Sequence, residues 1–409
     1  VENTLCSPIS QVSAVFPANA SWLEINALHL KHNISLFRQV SEKKGNFEIG
    51  VVLKGNAYGH GFLEVLSVVH DLVDCLYVIT PQDAFSIRAF ERQNCKRCKK
   101  VLVLGSIGVD EAVLMANQDI EATLADPDWG LVGQALRTRG MVAPLKVHVH
   151  IDTGLGREGI LPTEVLKQLG FLKEFSDIFQ VVGVLSHFAN TEDVTEQSYA
   201  LQQVEKFHEG EAHLRTLLGS DLQLVRHISA SAAAFVLPPA RLEAVRVGIS
   251  LYGLWSSIET RISSKVVFGD ALPALKPVLS WRCQSQMVKR LAAGSYVGYG
   301  CTYRCEEDTR VAVFPVGYFD GYPRLMSSRA HVLINGHRCP VLGRIMMNHI
   351  VVNVSRAATD DSPLIATLLG TDGSESISAD TLAAWAQTIN YEMVTRIGSH
   401  LKRIVTLNE

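Results

Sequence analysis

Between residues 51 and 249 the chain repeats one pattern eight times: a short apolar run, then a stretch of helical periodicity. The apolar runs fall at 51–53, 76–80, 101–105, 120–124, 145–151, 181–186, 224–229 and 245–250. Helical patterns lie between them, as at 110–117, 163–172 and 197–218. A doubly wound open sheet also alternates in this way. Eight consecutive units within about 200 residues favour closure, and predict a (β/α)8 TIM-type barrel. Residues 22–25 read as a lead-in strand, with Asn26 as the N-cap of the helix that follows.

After residue 257 the pattern changes to short strands at 278–289, 310–315, 329–334, 337–341 and 350–354, divided by Gly, Asn and Pro. Asn335-Gly336 has the composition of a two-residue hairpin turn. Stretches 379–387 and 390–399 read as closing helices. The fold class expected is therefore α/β: an N-terminal barrel plus a C-terminal mainly β domain. The expected boundaries are an extension over 1–21, a barrel over 22–257 and the β domain over 258–409.

The chain has 409 residues, 47% of them hydrophobic, ample for a large core, and its length suggests two or three domains. Its net charge is −3 with no long basic run, which removes the electrostatic case for nucleic acid. No stretch approaches the roughly 18 apolar residues that span a membrane. The first 30 residues carry no Lys or Arg and no apolar core of the signal-peptide kind. A cytoplasmic location is expected, although a chain opening at Val1 could also be a processed precursor, which would place it in the periplasm. The 8 cysteines are scattered. Cys95-x-x-Cys98 lacks the second half of a zinc site, so no metal is expected.

Catalytic groups of such barrels gather at the C-terminal ends of the strands. Lys54 ends strand one, where desolvation lowers an amine's pKa and a neutral amine can form a Schiff base. Asp152 and Arg157 follow strand five, and His187 and Asn190 follow strand six. His227, Ser229 and Ser231 follow strand seven, while Arg246, Gly248 and Ile249 end strand eight. A glycine after strand eight lies where many barrels hold a phosphate. Lysine, phosphate site and cations together fit pyridoxal phosphate.

Two other readings compete. Gly154-x-Gly156-x-x-Gly159 matches a dinucleotide fingerprint, but fifth in the series rather than first. His148 and His150 alternate on strand five, with His60, His187 and His227 available, as in a metal-dependent barrel hydrolase; no carboxylate set completes that site. A cofactor-carrying barrel without catalysis would not need the second domain. A pyridoxal decarboxylase would carry a glycine-rich phosphate loop and a C-terminal Cys-Asp site, and neither is found.

With its motifs in order, the chain resembles the alanine racemase family from about Trp22 to its C-terminus. The motifs are the Lys54-Gly-Asn-Ala-Tyr58 segment, Asp152-Thr-Gly-Leu-Gly-Arg157, His187-Phe188-Ala189, Arg246-Val-Gly248-Ile249 and Gly298-Tyr299-Gly300. Pro315-Val-Gly-Tyr318-Phe-Asp320-Gly-Tyr-Pro-Arg324, Gly343-Arg-Ile-Met-Met347-Asn348 and Asn390-Tyr391-Glu392 complete the series.

The resemblance implies a homodimeric racemase that interconverts L- and D-alanine with pyridoxal 5'-phosphate and supplies D-alanine for peptidoglycan. Broad-spectrum, serine- or lysine-type racemases of the same fold are the alternative. Lys54 would carry the cofactor and serve as one base, with Tyr299 of the partner subunit as the other. Tyr58, Ser231, Gly248, Ile249 and Tyr391 would hold the phosphate. Arg246 would face the pyridine nitrogen, and His187 would lie near the ring. Arg157 and the Met347 backbone would hold the substrate carboxylate, and Tyr318 would line the entrance.

Two opposed bases are what a racemase needs, because a single base tends to return the proton to the side it came from. A phenol serves as one of them only where nearby cations stabilise its anion. The chain departs from the family at His150, where many members have a carbamylated lysine that positions the arginine equivalent to Arg157. It departs again at Ala230 and Asn348. Imidazole forms no stable carbamate, so a neutral His150 accepting a hydrogen bond, or a bound anion, is expected to hold Arg157 instead.

Overall fold

The computed structural model describes residues 20–41, 47–140, 143–193 and 195–407. Most of the expected N-terminal extension, residues 1–19, lies outside them. The chain divides into two compact units, Asn26–Val278 and a second made of the segment ending at Ile25 with Leu279–Thr406.

The first unit is a barrel of eight parallel strands: Glu48–Val52, Cys75–Val78, Lys100–Val103, Glu121–Leu124, Leu145–His150, Phe179–Leu185, Val225–His227 and Ala244–Val247. Strand eight returns to strand one in the register Ile49↔Val245 and Val51↔Val247. Between strands seven and eight there is no full ladder. Backbone bonds from Glu243 N to Arg226 O (3.1 Å) and from Arg246 N to Ser229 O (3.0 Å) close the circle. Val51, Leu76, Val78, Val101, Leu102, Val103, Ala122, Leu124, Val147 and Val149 are buried. That is why these strands read as continuous apolar runs: a parallel strand covered on both faces has no solvent side.

Helix Ala27–Ser41 starts as the sequence predicts, with Asn26 Oδ1 accepting from His29 N at 2.9 Å. Ser198–Leu218 is a single 21-residue helix. The expected helix over 163–172 is instead broken into a 3-10 turn, Pro162–Glu164, and two single turns, Val165–Gln168 and Phe171–Glu174. Pro162 and Gly170 punctuate it, and neither favours an uninterrupted helix. Helix Ile258–Phe268 belongs to this unit rather than to the β-rich one.

The second unit is built on a seven-stranded sheet. Its order is His337–Pro340, His331–Ile334, Ile365–Asp372, Leu279–Gln284, Ser21–Asn26 and Lys402–Thr406, with Glu375–Ile377 beside Ile365–Asp372. The lead-in strand Ser21–Asn26 therefore serves this sheet, pairing antiparallel with Leu279–Gln284 through Leu23↔Trp281. The stretch read as one strand over 278–289 is two, and Met287–Leu291 joins Thr309–Phe314 and Ile350–Asn353 in a separate three-stranded sheet. Asn335 (φ 51°) and Gly336 (φ 76°) both take positive φ between strands paired Ile334↔His337, the geometry of a type I′ hairpin. Among the described residues no helix is long and apolar enough to cross a membrane.

Candidate active site

Lys54 does not end a strand; it opens a turn of the rarer hand. Strand one stops at Val52, and Gly55, Asn56, Ala57, Tyr58 and Gly59 all have φ between 52° and 79°. Bonds from Ala57 N to Leu53 O (2.8 Å) and from Gly59 N to Gly55 O (2.9 Å) make this a left-handed helical turn. Left-handed backbone costs about 1–2 kcal/mol per L-residue, so the non-glycine residues together cost roughly 3–6 kcal/mol. Asn56 offsets part of this, its Oδ1 accepting from Phe62 N at 2.8 Å. The turn carries the Tyr58 side chain inward to a buried position, its ring 5.1 Å from that of Tyr252.

The Tyr58 hydroxyl meets strand eight at Gly248. A Cβ on Gly248 would lie 2.6 Å from that oxygen, so only glycine leaves the approach open. Ser231 Oγ accepts from Gly248 N (2.9 Å) and from Ser250 N (3.4 Å), and Ile249 opens the next turn, Ile249–Tyr252. Two hydroxyls and the backbone amides after strand eight thus converge on one spot. Burial raises the Tyr58 pKa, keeping it a phenol and a donor.

Arg246, on strand eight, is buried. Its Nη1 donates to His227 Nδ1 (2.8 Å) and His227 O (2.7 Å); its Nη2 donates to Ser186 O (2.6 Å), His187 Nδ1 (3.1 Å) and Ile228 O (3.2 Å). Burial pushes its pKa down to about 10, with Arg157 adding to the shift and Tyr77 opposing it, so the guanidinium stays charged at neutral pH. The Lys54 amine is also lowered, first by desolvation and then by the cations Arg157 and Arg246. Its side chain remains exposed at the mouth. Burial and the same two arginines hold His187 well below the ordinary imidazole range.

Arg157 lies in the loop after strand five. Asp152 Oδ1 shapes that loop by accepting from Gly154 N (2.9 Å) and Gly156 N (3.2 Å). The run Gly154–Gly159 opens no helix, since Ile160 returns to bridge Ile151, and the dinucleotide reading loses its context. The Arg157 guanidinium pairs with Glu158 at 3.0 Å. No hydrogen bond joins it to His150, contrary to one of the two expectations for that position. His150 is buried, its Nδ1 has no hydrogen-bond partner, and burial with Arg246 and Arg157 pushes its pKa down to about 3.

The remaining expected residues lie in the β-rich unit. Tyr299 sits on a turn, Tyr299–Cys301, between the short paired strands Tyr296–Val297 and Tyr303–Arg304, and it is 66% exposed. Tyr318 and Met347 are brought side by side: Tyr318 N donates to Met346 O (3.1 Å) and Phe319 N to Met347 O (3.0 Å). A Cβ on Gly317 would lie 2.2 Å from Met346 O, so glycine permits this approach. Tyr391 is on helix Asn390–Thr395.

Some participants carry no motif. Gln203, fully buried on helix Ser198–Leu218, binds Thr153 Oγ1 (3.1 Å), His187 O (3.2 Å) and Ala189 N (3.0 Å), fixing the loops after strands five and six together. Glu121 and His148 extend the bonding behind Arg246: His148 Nδ1 lies 2.8 Å from His227 Nε2, and its Nε2 lies 2.9 Å from Glu121 Oε2. The ring nitrogens of these histidines are thus committed to protein partners, unlike those of a metal-binding pair.

Comparison with known proteins decides the family. The alanine racemase N-terminal domain matches residues 25–256 and the C-terminal domain of the same family matches residues 278–405. This chain belongs to the alanine racemase family. The alanine racemase of Leptospira interrogans is 36% identical over 392 residues, covering 94% of this chain and 96% of that protein. That of Methylacidiphilum infernorum is 32% identical over 400 residues, covering 96% and 94%. Among solved structures, alanine racemase from Bacillus anthracis with bound L-Ala-P superposes with a TM-score of 0.83 at 29% identity, covering 96% of each chain. The enzyme from a D-cycloserine-producing Streptomyces lavendulae gives 0.81 at 27%, covering 96% of this chain and 98% of that one.

Proposed function

We propose that this chain racemises alanine with pyridoxal phosphate at the barrel mouth, as a homodimer whose sites each take Tyr299 from the partner subunit. One observation carries the reading: a lysine of lowered pKa, a buried guanidinium and a hydroxyl-amide cluster stand at the same ends of the strands. The residues fit the cofactor. Gly248 leaves an approach beside the Tyr58 hydroxyl that any Cβ would fill, next to Ser231, which suits a phosphate.

When bound, pyridoxal phosphate supplies an electron sink that makes the substrate's α-hydrogen acidic. Lys54 would hold it through Nζ, and its lowered pKa leaves more of the neutral amine that could take or return a proton on one face of the α-carbon. Oη of Tyr299 of the partner subunit serves the opposite face. Tyr58, Ser231, Gly248 and Ile249, with Tyr391, hold the phosphate. Arg246, which keeps its own charge, would face the pyridine nitrogen and would disfavour a second positive charge there. His187, held neutral, lies near the ring. Arg157 and the Met347 backbone take the substrate carboxylate, and Tyr318 lines the way in.

A role in supplying D-alanine for peptidoglycan, in the cytoplasm, follows from this activity. The test is racemisation of a panel of L-amino acids by purified protein in deuterium oxide. Alanine is expected to turn over fastest, with deuterium at Cα of both enantiomers. Faster turnover of serine or lysine would move the chain to the broad-spectrum racemases, and no exchange on any of them would refute the reading.

A further inference from the structure

We infer that Glu121 is a positioning residue for Arg246, the terminal acceptor and remote counter-charge of a hydrogen-bond chain that crosses the barrel interior through His227 and His148. The four residues stand on strands four, five, seven and eight, so the chain spans the inside of the barrel rather than running along one ladder.

Its polarity is fixed from one end. A guanidinium only donates, so His227 Nδ1, 2.8 Å from Arg246 Nη1, must be a lone pair. The hydrogen of that neutral ring is then on Nε2 and points at His148 Nδ1, 2.8 Å away. His148 accepts there, carries its own hydrogen on Nε2 and donates it to Glu121 Oε2 at 2.9 Å. The reverse assignment leaves His227 with two acceptor nitrogens and no hydrogen. A doubly protonated His227 would instead aim an N–H at Arg246. Only one arrangement satisfies every atom, and it ends on a carboxylate.

The direct partners of Arg246 are all neutral, being three carbonyls and two imidazoles. A buried cation with neutral partners needs a counter-charge, and the chain delivers one through two polarisable rings. The rings are seated for it. A Cβ on Gly183 would lie 2.1 Å from His148 Nδ1, and Tyr77 packs 5.7 Å from His227. Glu121 itself is buried at the start of strand four. The nearest cation, Lys100, pairs directly with Glu48, its Nζ lying 2.6 Å from Glu48 Oε1, and acts on Glu121 only through space. For catalysis the inference rests on the proposed role of Arg246; the chain itself does not.

The experiment separates the two. Long-range ¹⁵N–¹H correlation spectra of the full chain without cofactor, labelled at histidine, should show His148 and His227 as neutral Nε2–H tautomers. Glu121→Gln retains an acceptor and should keep that pattern. Glu121→Leu should lose it at His148 and shift the His227 resonances. In the holoenzyme, Glu121→Leu should lower kcat for alanine about tenfold with KM within about twofold, and Glu121→Gln, which keeps the acceptor but not the charge, should recover only part of the loss; full recovery would overturn the counter-charge. An Nδ1–H tautomer at His148 in the wild-type protein, or His227 resonances unmoved in Glu121→Leu, would overturn the inference. Should Glu121→Leu not fold, the wild-type tautomers and the Glu121→Gln spectra still decide. A wild-type protein with the expected tautomers and no racemisation would refute the functional reading and leave the chain intact.

Discussion

At the scale of single residues, the site is a concentration of positive charge softened by burial. Burial first, and then the charges of Arg157 and Arg246, depress the Lys54 amine and the imidazoles of His150 and His187, while burial and Arg157 depress Arg246. His150 gives a direct readout. Its pKa is about 3 folded against 6.5 as the ordinary value, so the unfolded chain binds the proton first as pH falls. Stability from this group is fully present above pH 6.5 and is lost as pH falls toward the folded value. By about pH 4.5 a single such group forfeits about 2–3 kcal/mol. His187 and His227 shift in the same direction, so the measurement is a difference. Urea unfolding of wild type and His150→Gln between pH 7 and about 4.5 should show a flatter acid limb in the variant. Parallel limbs would mean that His150 charges freely in the folded protein. The position of Lys54 at the barrel mouth was legible from its place after an apolar run, and that of Arg246 from strand eight. Glu121 was not, because a polar residue at the start of a strand reads as a solvated edge until His148 is seen donating to it.

At the scale of elements, glycines decide what the barrel interior can hold. A Cβ at Gly50 would lie 2.0 Å from the Tyr77 ring, and one at Gly183 would lie 2.1 Å from His148. Gly183→Ala should push His148 off His227 and destabilise the protein by about 1–3 kcal/mol, the usual cost of overpacking. Urea midpoints read this directly; an unchanged midpoint would show that the ring has room to retreat. The barrel strands were legible because burial on both faces leaves apolar runs with no alternation to misread. The strand Ile365–Asp372 was not, although it is the longest of its sheet at 8 residues. Its Ala and Leu residues suit a helix as well, and its pairing with Leu279–Gln284 and His331–Ile334 settles the matter from outside the segment. Lys402–Thr406 was likewise not read as a strand, whereas the lead-in strand Ser21–Asn26 was legible as a strand but not as a member of this sheet. Their partners are fixed by tertiary pairing that no local window contains.

At the scale of the whole molecule, the proposed chemistry is divided between the two units. Lys54, Tyr58, Arg157, His187, Ser231, Arg246, Gly248 and Ile249 belong to the barrel, while Tyr299, Tyr318, Met347 and Tyr391 belong to the β-rich unit. If each site joins the barrel of one subunit to the β-rich unit of the other, a defect in either base can be complemented by a second chain. The measurement is alanine racemisation after mixing equal amounts of Lys54→Ala and Tyr299→Phe, each inactive alone, under conditions of demonstrated subunit exchange. Random reassortment makes half of the dimers hybrid, and each hybrid regains both bases in one of its two sites. The expected recovery is therefore about a quarter of wild-type activity. No recovery despite exchange would contradict a site shared between subunits with Lys54 and Tyr299 as its opposed bases.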